Sequence, residues 1–425
     1  MENKVPLIMM RLIYFNIILL SASLTTITDS TAQVSGCTDR LAVNYNPAAI
    51  KNDGSCVYSE TSVLPDATYN ISNTLDETSG LIIWNDQLWT HNDNDDINIY
   101  SLDTLNGSII QTISLTGTLN TDWEEISHDN DFIYIGDFGN NSNGNRTDLK
   151  ILRIKKISVF TNPPEIDTIS YTYSDQTDLT PSGSNNTDFD CEAFIVSSDS
   201  IYLFTKQWVN QKTSVYSLPK IPGKYTAKKK STYDVEGLIT GSAYLYSKKL
   251  VVLCGYSILL EPFFFLLYDF NDCDFFSGNK RKVTIPLSFH QVEGIATTNG
   301  LKYYISNERF TYSTFITVNQ KLHTFNLNPL LEDYIESFTS NSAENGIKNT
   351  YTIFPNPVEN NLRVKRSDYY NQEGYSITDF TGKVVLTGIL SGEADQIDIS
   401  HLTAGLYFLK IGDKELHHFK VIKEQ

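Results

Sequence analysis

Long apolar runs are scarce in this 425-residue sequence, and charged residues make up only 20% of it. Beyond the first thirty-odd residues no segment is built to cross a bilayer. The most apolar one, Ile258 to Phe270 (ILLEPFFFLLYDF), is short and is interrupted by Glu261 and Pro262. It reads as a central strand of a packed sheet. Positive charge is also in short supply: 33 Lys and Arg face 50 Asp and Glu, a formal net charge of −17. That balance argues against nucleic acid as a partner and fits a soluble or calcium-rich extracellular setting. The seven histidines are scattered, so a zinc site of paired histidines has no support. No G-x-S-x-G elbow and no phosphate-cradling glycine loop is present, and long amphipathic helical patterns are missing. What is abundant is Tyr (25) and Phe (22) among many Thr, Ser, Asn and Ile residues, a usage that favours strands and turns.

The two ends read as addresses. Residues 1–32 begin with Lys4 and Arg11, continue through an apolar core from Leu12 to Leu20, and reach small residues at Ser30 to Ala32. That is the layout of a secretory signal peptide, with a core too short for a membrane span. Its charges cancel, so the mature chain keeps −17. Val34 to Cys37 (VSGC) looks like a lipidation box but lies far downstream of the apolar core.

Five cysteines follow the signal. In an oxidising compartment Cys37 and Cys56 are expected to pair, Cys254 and Cys273 are a candidate second bond, and Cys191 is left over. Cys191 stands among carboxylates, which raise a thiol pKa and argue against a nucleophile. Residues 33–60 hold a short segment, GCTDRLAVNYNPAAIKNDGSCVY, that resembles a module recurring in secreted bacterial proteins. It is too small to hold a core without a cross-link. Asp39, Asn52 and Asp53 within it are turn formers or calcium ligands.

Residues 350–425 show short alternating runs: YTIFPNPVENNLRV, YSITDFTGKVVLTGIL, IDISHLTAGLYFLKI and HHFKVIK. Turns fall between them, which predicts a small immunoglobulin-like antiparallel β-sandwich. The FPNPV start, the D-x-x-GK-V-V hairpin and the IDIS-x-L-x-x-G-x-Y run closely resemble the C-terminal sorting domain of type IX secretion. The resemblance implies recognition by that export machinery and a secreted or outer-membrane surface location in a Gram-negative bacterium. A polar stretch, 336–349, is expected to be a linker.

The region between, 61–335, carries an internal repeat. Five headers stand out: Glu77–Leu81 (ETSGL), Asp122–Ile126 (DWEEI), Asp190–Phe194 (DCEAF), Asp234–Leu238 (DVEGL) and Gln291–Ile295 (QVEGI). Each precedes a strand-like run. Their third residues, at 79, 124, 192, 236 and 293, are spaced by 45, 68, 44 and 57 residues, and such periods with several strands per unit signal β-propeller blades. From Glu124, Glu192 and Glu293 to the next strand core is 11 residues, whereas from Glu236 it is 16. Glu236 is therefore out of register, and Thr240 to Ser242 is the better start of the fourth unit. The last unit lacks a fourth strand, which Ala67 to Asn73 is placed to supply, closing the ring. The expected fold is all-β: a propeller of five blades, with six as the alternative, followed by the sandwich.

In such a blade the start of the inner strand and the end of its neighbour meet on one face. Asp122, Glu124, Glu192 and Glu293 are then candidate calcium ligands, since clustered carboxylates favour a hard cation. His91, Asp93, Asp137, Lys206, Glu308 and Arg309 are candidate ligand-binding residues, the two cations suiting an anionic group. VEGIA with YYISNER, the SGL header and LWTHND resemble the phytase-like or esterase-like propellers. That resemblance implies a calcium-associated propeller and, in some members, phosphoester or ester hydrolysis. Only the last unit carries the full pattern. The readings are thus a calcium-associated binding domain for an unknown extracellular ligand, a calcium-dependent phosphoesterase, or a structural scaffold.

Overall fold

The computed structural model describes residues 34–313, 315–344, 351–366, 373–390, 394–412 and 417–424. The signal segment 1–32 and residues 345–349 of the expected linker lie outside them.

Between Ala67 and Asn326 the strands form five four-stranded antiparallel sheets. In chain order their inner strands are Thr78–Trp84, Trp123–His128, Asp190–Val196, Leu238–Leu245 and Val292–Thr297. Each inner strand touches the next, and the last touches the first, so the sheets stand around a central channel. Five separate apolar clusters fill the five seams. Ile82 and Trp89 meet Ile126 and Ile135; Phe138 and Ile151 meet Phe194 and Leu203. Ile195 and Phe204 meet Val251 and Phe263; Val252 and Phe264 meet Ile305 and Phe325. Leu81 and Leu88 meet Ala296 and Tyr304. Because each sheet is covered on both faces, its middle strands are largely buried. Pro262–Tyr268, the apolar segment noted in the sequence, is buried along its whole length as the third strand of the fourth sheet. This is the β-propeller expected from the repeat.

Ring closure takes the expected form. Ala67–Asn70 pairs with Lys321–Asn326 as the outer strand of the fifth sheet, with Asn70 opposite Lys321. Three other edges are hidden in ways the repeat does not announce. The outer strands of the second and third sheets, Ile166–Tyr173 and Gly223–Asp234, pair in parallel and join the two into one eight-stranded surface. The outer strand of the fourth sheet is covered by residues 61–63, where the Val63 N–H donates to the Thr284 carbonyl (3.0 Å). Covered edges cannot template pairing with another chain.

The small N-terminal segment is held by the Cys37–Cys56 disulfide and by polar contacts to the fourth sheet. Asn52 Nδ2 donates to Asp269 and to Asn279 (2.9 Å each), and Lys280 Nζ donates to the Gly54 carbonyl (3.0 Å). Its candidate ligands act as turn formers: Asp39, Asn52 and Asp53 accept from the backbone N–H two residues on. Cys254 and Cys273 are both free thiols, which corrects the second disulfide. Cys254 is buried on the second strand of the fourth sheet, against Thr240.

The stretch read as a polar linker is different. An α-helix runs Asn328–Glu344, so the linker reading is corrected at 336–344. Pro329 sits in its first turn, where a missing N–H costs nothing. Leu331 and Ile335 reach the core shared by the fourth and fifth sheets, and Tyr334 OH donates to the Lys248 carbonyl (2.7 Å). The C-terminal region is a sandwich of a three-stranded sheet (Tyr351–Phe354, Asn361–Arg366, Ala394–Asp398) on a four-stranded one (Val384–Leu390, Glu373–Asp379, Gly405–Ile411, His417–Lys423). Leu362, Val364, Ile377, Leu409 and Val421 fill the space between.

Candidate functional site

The repeated headers turn out to be β-bulges. On four inner strands one residue is unpaired at the same place: Glu124, Glu192, Thr240 and Glu293. The first strand skips two, Gly80 and Leu81. A bulge re-aims a side chain that a regular pleat would send into the sheet packing, and here three of them carry glutamates toward one mouth of the channel. Thr240 holds the fourth place, as the register argument anticipates. Glu236 lies in the turn before that strand, exposed and with φ 51°.

Below the bulges the channel is stitched shut. Glu125 is fully buried; its carboxylate accepts from Ser242 N (2.7 Å), Ser242 Oγ (3.2 Å) and its neighbour Ile126 N (3.0 Å). Ser242 Oγ also donates to the Phe194 carbonyl (2.9 Å), and Ser79 Oγ donates to the Glu124 carbonyl (2.6 Å). These bonds tie the second sheet to the fourth across the axis and join neighbouring sheets, and the polar cavity lies above them.

That cavity, of about 170 Å³, is lined by Asp93, Glu124, Glu192, Glu293 and Glu308 with one ammonium group, Lys206. Lys206 Nζ contacts Glu192 Oε1 at 3.0 Å and lies over the Trp208 and Tyr256 rings. Glu293 is 5% exposed, and its Oε2 has no hydrogen-bond partner. Burial, with help from neighbouring acids, pushes these groups upward. Asp93 rises to about 7 through burial and the charges of Glu77 and Asp122. Glu293 rises to about 7 through burial, against the pull of Lys206. Glu124 and Glu308 are pushed well above the usual carboxylate range by burial and then by Glu192 and Glu293 respectively. Gly139 is needed here: a Cβ on it would lie 2.2 Å from Glu124 Oε1 and 2.4 Å from Asp122 Oδ2.

Of the residues singled out in the sequence, Asp93, Glu124, Glu192, Lys206, Glu293 and Glu308 converge on the cavity. Asp122 is half-buried and raised to about 6 by burial and Asp190. Three residues stand elsewhere. His91 is fully buried on the Trp123 ring with Nδ1 donating to the Asn92 carbonyl; burial lowers it to about 4. Asp137 is clamped between Arg146 (2.8 Å) and Lys150 (2.6 Å). Arg309 is exposed and does not line the cavity, although its N–H donates to the Asp76 carbonyl (2.7 Å).

The four proposed calcium ligands also need correction as a set. Among the described residues, the compact group of carboxylates whose oxygens all lie within 4.8 Å of one another is Glu77, Asp93 and Glu308. Asp122, Glu124, Glu192 and Glu293 form no such group: the first two share the second sheet, the others stand on the third and fifth, and Glu192 is committed to Lys206. Glu77 and Gln291 were missed as site residues. Both occupy the first header position, which repeats as Glu, Asp, Asp, Asp and Gln and is itself the available signal. Gln291 Nε2 donates to Glu308 Oε1 at 2.6 Å.

Three solved structures resemble the chain at low identity. One is PorZ, described as an essential bacterial surface component of the type IX secretion system of Porphyromonas gingivalis: 13% identity, TM-score 0.29, covering 82% of this chain. This chain spans 45% of that protein's length. A mitotic checkpoint complex chain (11%, TM-score 0.33, 63% of this chain and 96% of that one) and the RRP9 WD40 repeats (8%, TM-score 0.34, 63% and 100%) are the others. At these TM-scores none carries an argument about function. No curated protein matches. The C-terminal region is specific: residues 352–424 match the family described as the secretion system C-terminal sorting domain. The chain therefore carries a type IX sorting domain behind a β-propeller, and it is a secreted or outer-membrane-surface protein.

Proposed function

We propose that the propeller is a binding domain whose carboxylate-rich mouth takes up a cation, calcium being the ion tested first, and through it an extracellular ligand. The observation that carries this is the charge count around one small cavity: five carboxylates against a single ammonium group that Glu192 already holds. Acids crowded in a half-dry space must be protonated or bridged by a cation. The donor set is all oxygen, which suits a hard ion. Glu293 Oε2, buried with no partner, is the kind of atom a bound ion would satisfy.

The phosphoesterase alternative is less well supported. Its anion clamp was to be Lys206 and Arg309, but the first is paired and the second lies off the cavity. An acidic mouth repels phosphate unless metal is present first.

Isothermal titration of the purified chain with calcium chloride at pH 6.5 in two buffers of different ionisation heat tests the proposal. Binding with buffer-dependent heat is expected, because raised carboxyls must give up protons to the buffer as the ion binds. Absence of binding heat, together with an unchanged melting temperature in calcium and in chelator, would discard the cation reading.

A further inference from the structure

The acids of the mouth are not equivalent, and one group of them sits where the ring closes. Glu77 immediately precedes the inner strand of the first sheet, Asp93 follows its second strand, and Glu308 follows the second strand of the fifth sheet. These three come from the two ends of the propeller chain. Their carboxylate oxygens lie within 4.8 Å of one another. Calcium holds oxygens at about 2.4 Å, so two ligands on one ion can stand no further apart than about 4.8 Å. The backbone fixes the three in place: Asp93 N–H donates to the Glu77 carbonyl (3.1 Å), and Arg309 N–H donates across the seam to the Asp76 carbonyl (2.7 Å). Gln291 holds Glu308 from behind.

A second observation points to a ligand at the same place. Glu293, from the fifth sheet, is 5% exposed, lines the cavity that Asp93 and Glu308 also line, and has one oxygen with no partner. Besides the Arg309–Asp76 backbone bond the seam is held by apolar contact, by Gln320 Nε2 donating to Asn73 Oδ1 (2.9 Å), and by two glycine backbones pressed together: a Cβ on Gly294 would lie 2.8 Å from the Gly80 carbonyl carbon. Ionised together with no cation among them, the three carboxylates would repel one another across the seam.

We propose that Glu77, Asp93 and Glu308 seat a divalent cation that clamps the first sheet to the fifth, locking the ring at its point of closure. This rests on the cation-binding reading above and assigns it a place and a structural task. The ion bridges residues more than two hundred positions apart in the chain, and it binds only the closed ring. By mass action it stabilises the folded state in proportion to its concentration. Glu77 does not line the larger cavity, so removing it tests the clamp while leaving the inner carboxylates intact.

The test is thermal unfolding of the full chain in EDTA and in 1 mM calcium, with hydrogen exchange on the same two samples. Wild-type protein should melt several degrees higher with calcium, and E77Q and E308Q should each lose that rise. Calcium should slow exchange around residues 74–79 and 307–310 in the wild type, a readout that needs no variant to fold. If the rise survives in E77Q and E308Q but disappears in E124Q or E192Q, or if protection falls only around the inner bulges, the ion sits elsewhere in the mouth. That result overturns the clamp and spares the cation-binding reading. No calcium effect on either measurement removes both.

Discussion

Asp137 and Glu293 are buried acids at matching heights of the propeller, one on the second sheet and one on the fifth, yet their surroundings are opposite. Asp137 is fully buried and ion-paired with Arg146 and Lys150, both supplied by the loop and strand that follow it. Glu293 is almost as buried, has one oxygen unpartnered, and its neighbours Glu308 and Asp93 carry the same sign. Burial alone therefore does not mark a site. The difference lies in whether the chain brings its own counter-charge, and at the mouth it does not.

The sharpest way to break the comparison is Asp137→Ala. Removing the shared partner leaves Arg146 and Lys150 facing each other in a largely dry space, at a cost of about 3 kcal/mol in urea unfolding. Calcium should not restore it.

Acidity separates the two regions next. Folding favours the protonated forms of Asp93, which faces Glu77, Asp122, Glu192 and Lys206, and of Glu293, which faces Lys206, Asp93, Asp190 and the Tyr256 hydroxyl. A raised carboxyl contributes stability below its unfolded pKa and loses it as pH climbs through the folded value, here from about 4 to about 7. In chelator the melting temperature should fall between pH 5 and pH 8 by roughly 5 °C, and calcium should flatten that fall. A flat profile in chelator would mean the mouth is compensated in some other way.

Glu293→Gln should carry the opposite sign to the first variant. At pH 8 without metal it should leave stability unchanged or raise it by about 1 kcal/mol, since an uncompensated charge is removed. The smallest effect belongs to Arg153, whose pair Asp167 is 41% exposed on the side chain (2.7 Å). Arg153→Met should cost less than about 1 kcal/mol because water screens such pairs, with no change in the calcium response.

How far the sequence reveals all this depends on whether the signal is local. The sorting domain is a continuous run of motifs and is legible at once. Propeller headers are legible because a bulge must fall at a fixed distance from the neighbouring strand, and the 11-residue spacing reports it. Glu236 imitates a header in composition alone, and only that spacing exposes it. Ala67–Asn70 is legible as the closing strand because the last unit comes up one strand short. The parallel join between Ile166–Tyr173 and Gly223–Asp234 leaves no such gap to notice. The helix at Asn328–Glu344 is hidden because its core-facing residues, Leu331 and Ile335, are set among Asn, Ser, Thr and Glu that read as linker. Counter-charges were the hardest part: Arg146 and Lys150 lie in a long loop and the strand beyond it, and nothing in spacing says that Asp137 is their target.

Closing the ring with its first strand also sets a clock. Thr68 hydrogen-bonds His323 Nδ1 (2.9 Å) across 255 positions of sequence. A chain made at 5–20 residues per second needs roughly 10–50 s to produce the partner after the strand itself has emerged. For that interval the fifth sheet cannot be completed and the ring stays open, however well the earlier sheets have formed. A propeller built this way remains incompletely folded until nearly all of it has been synthesised, with the sorting domain following directly behind.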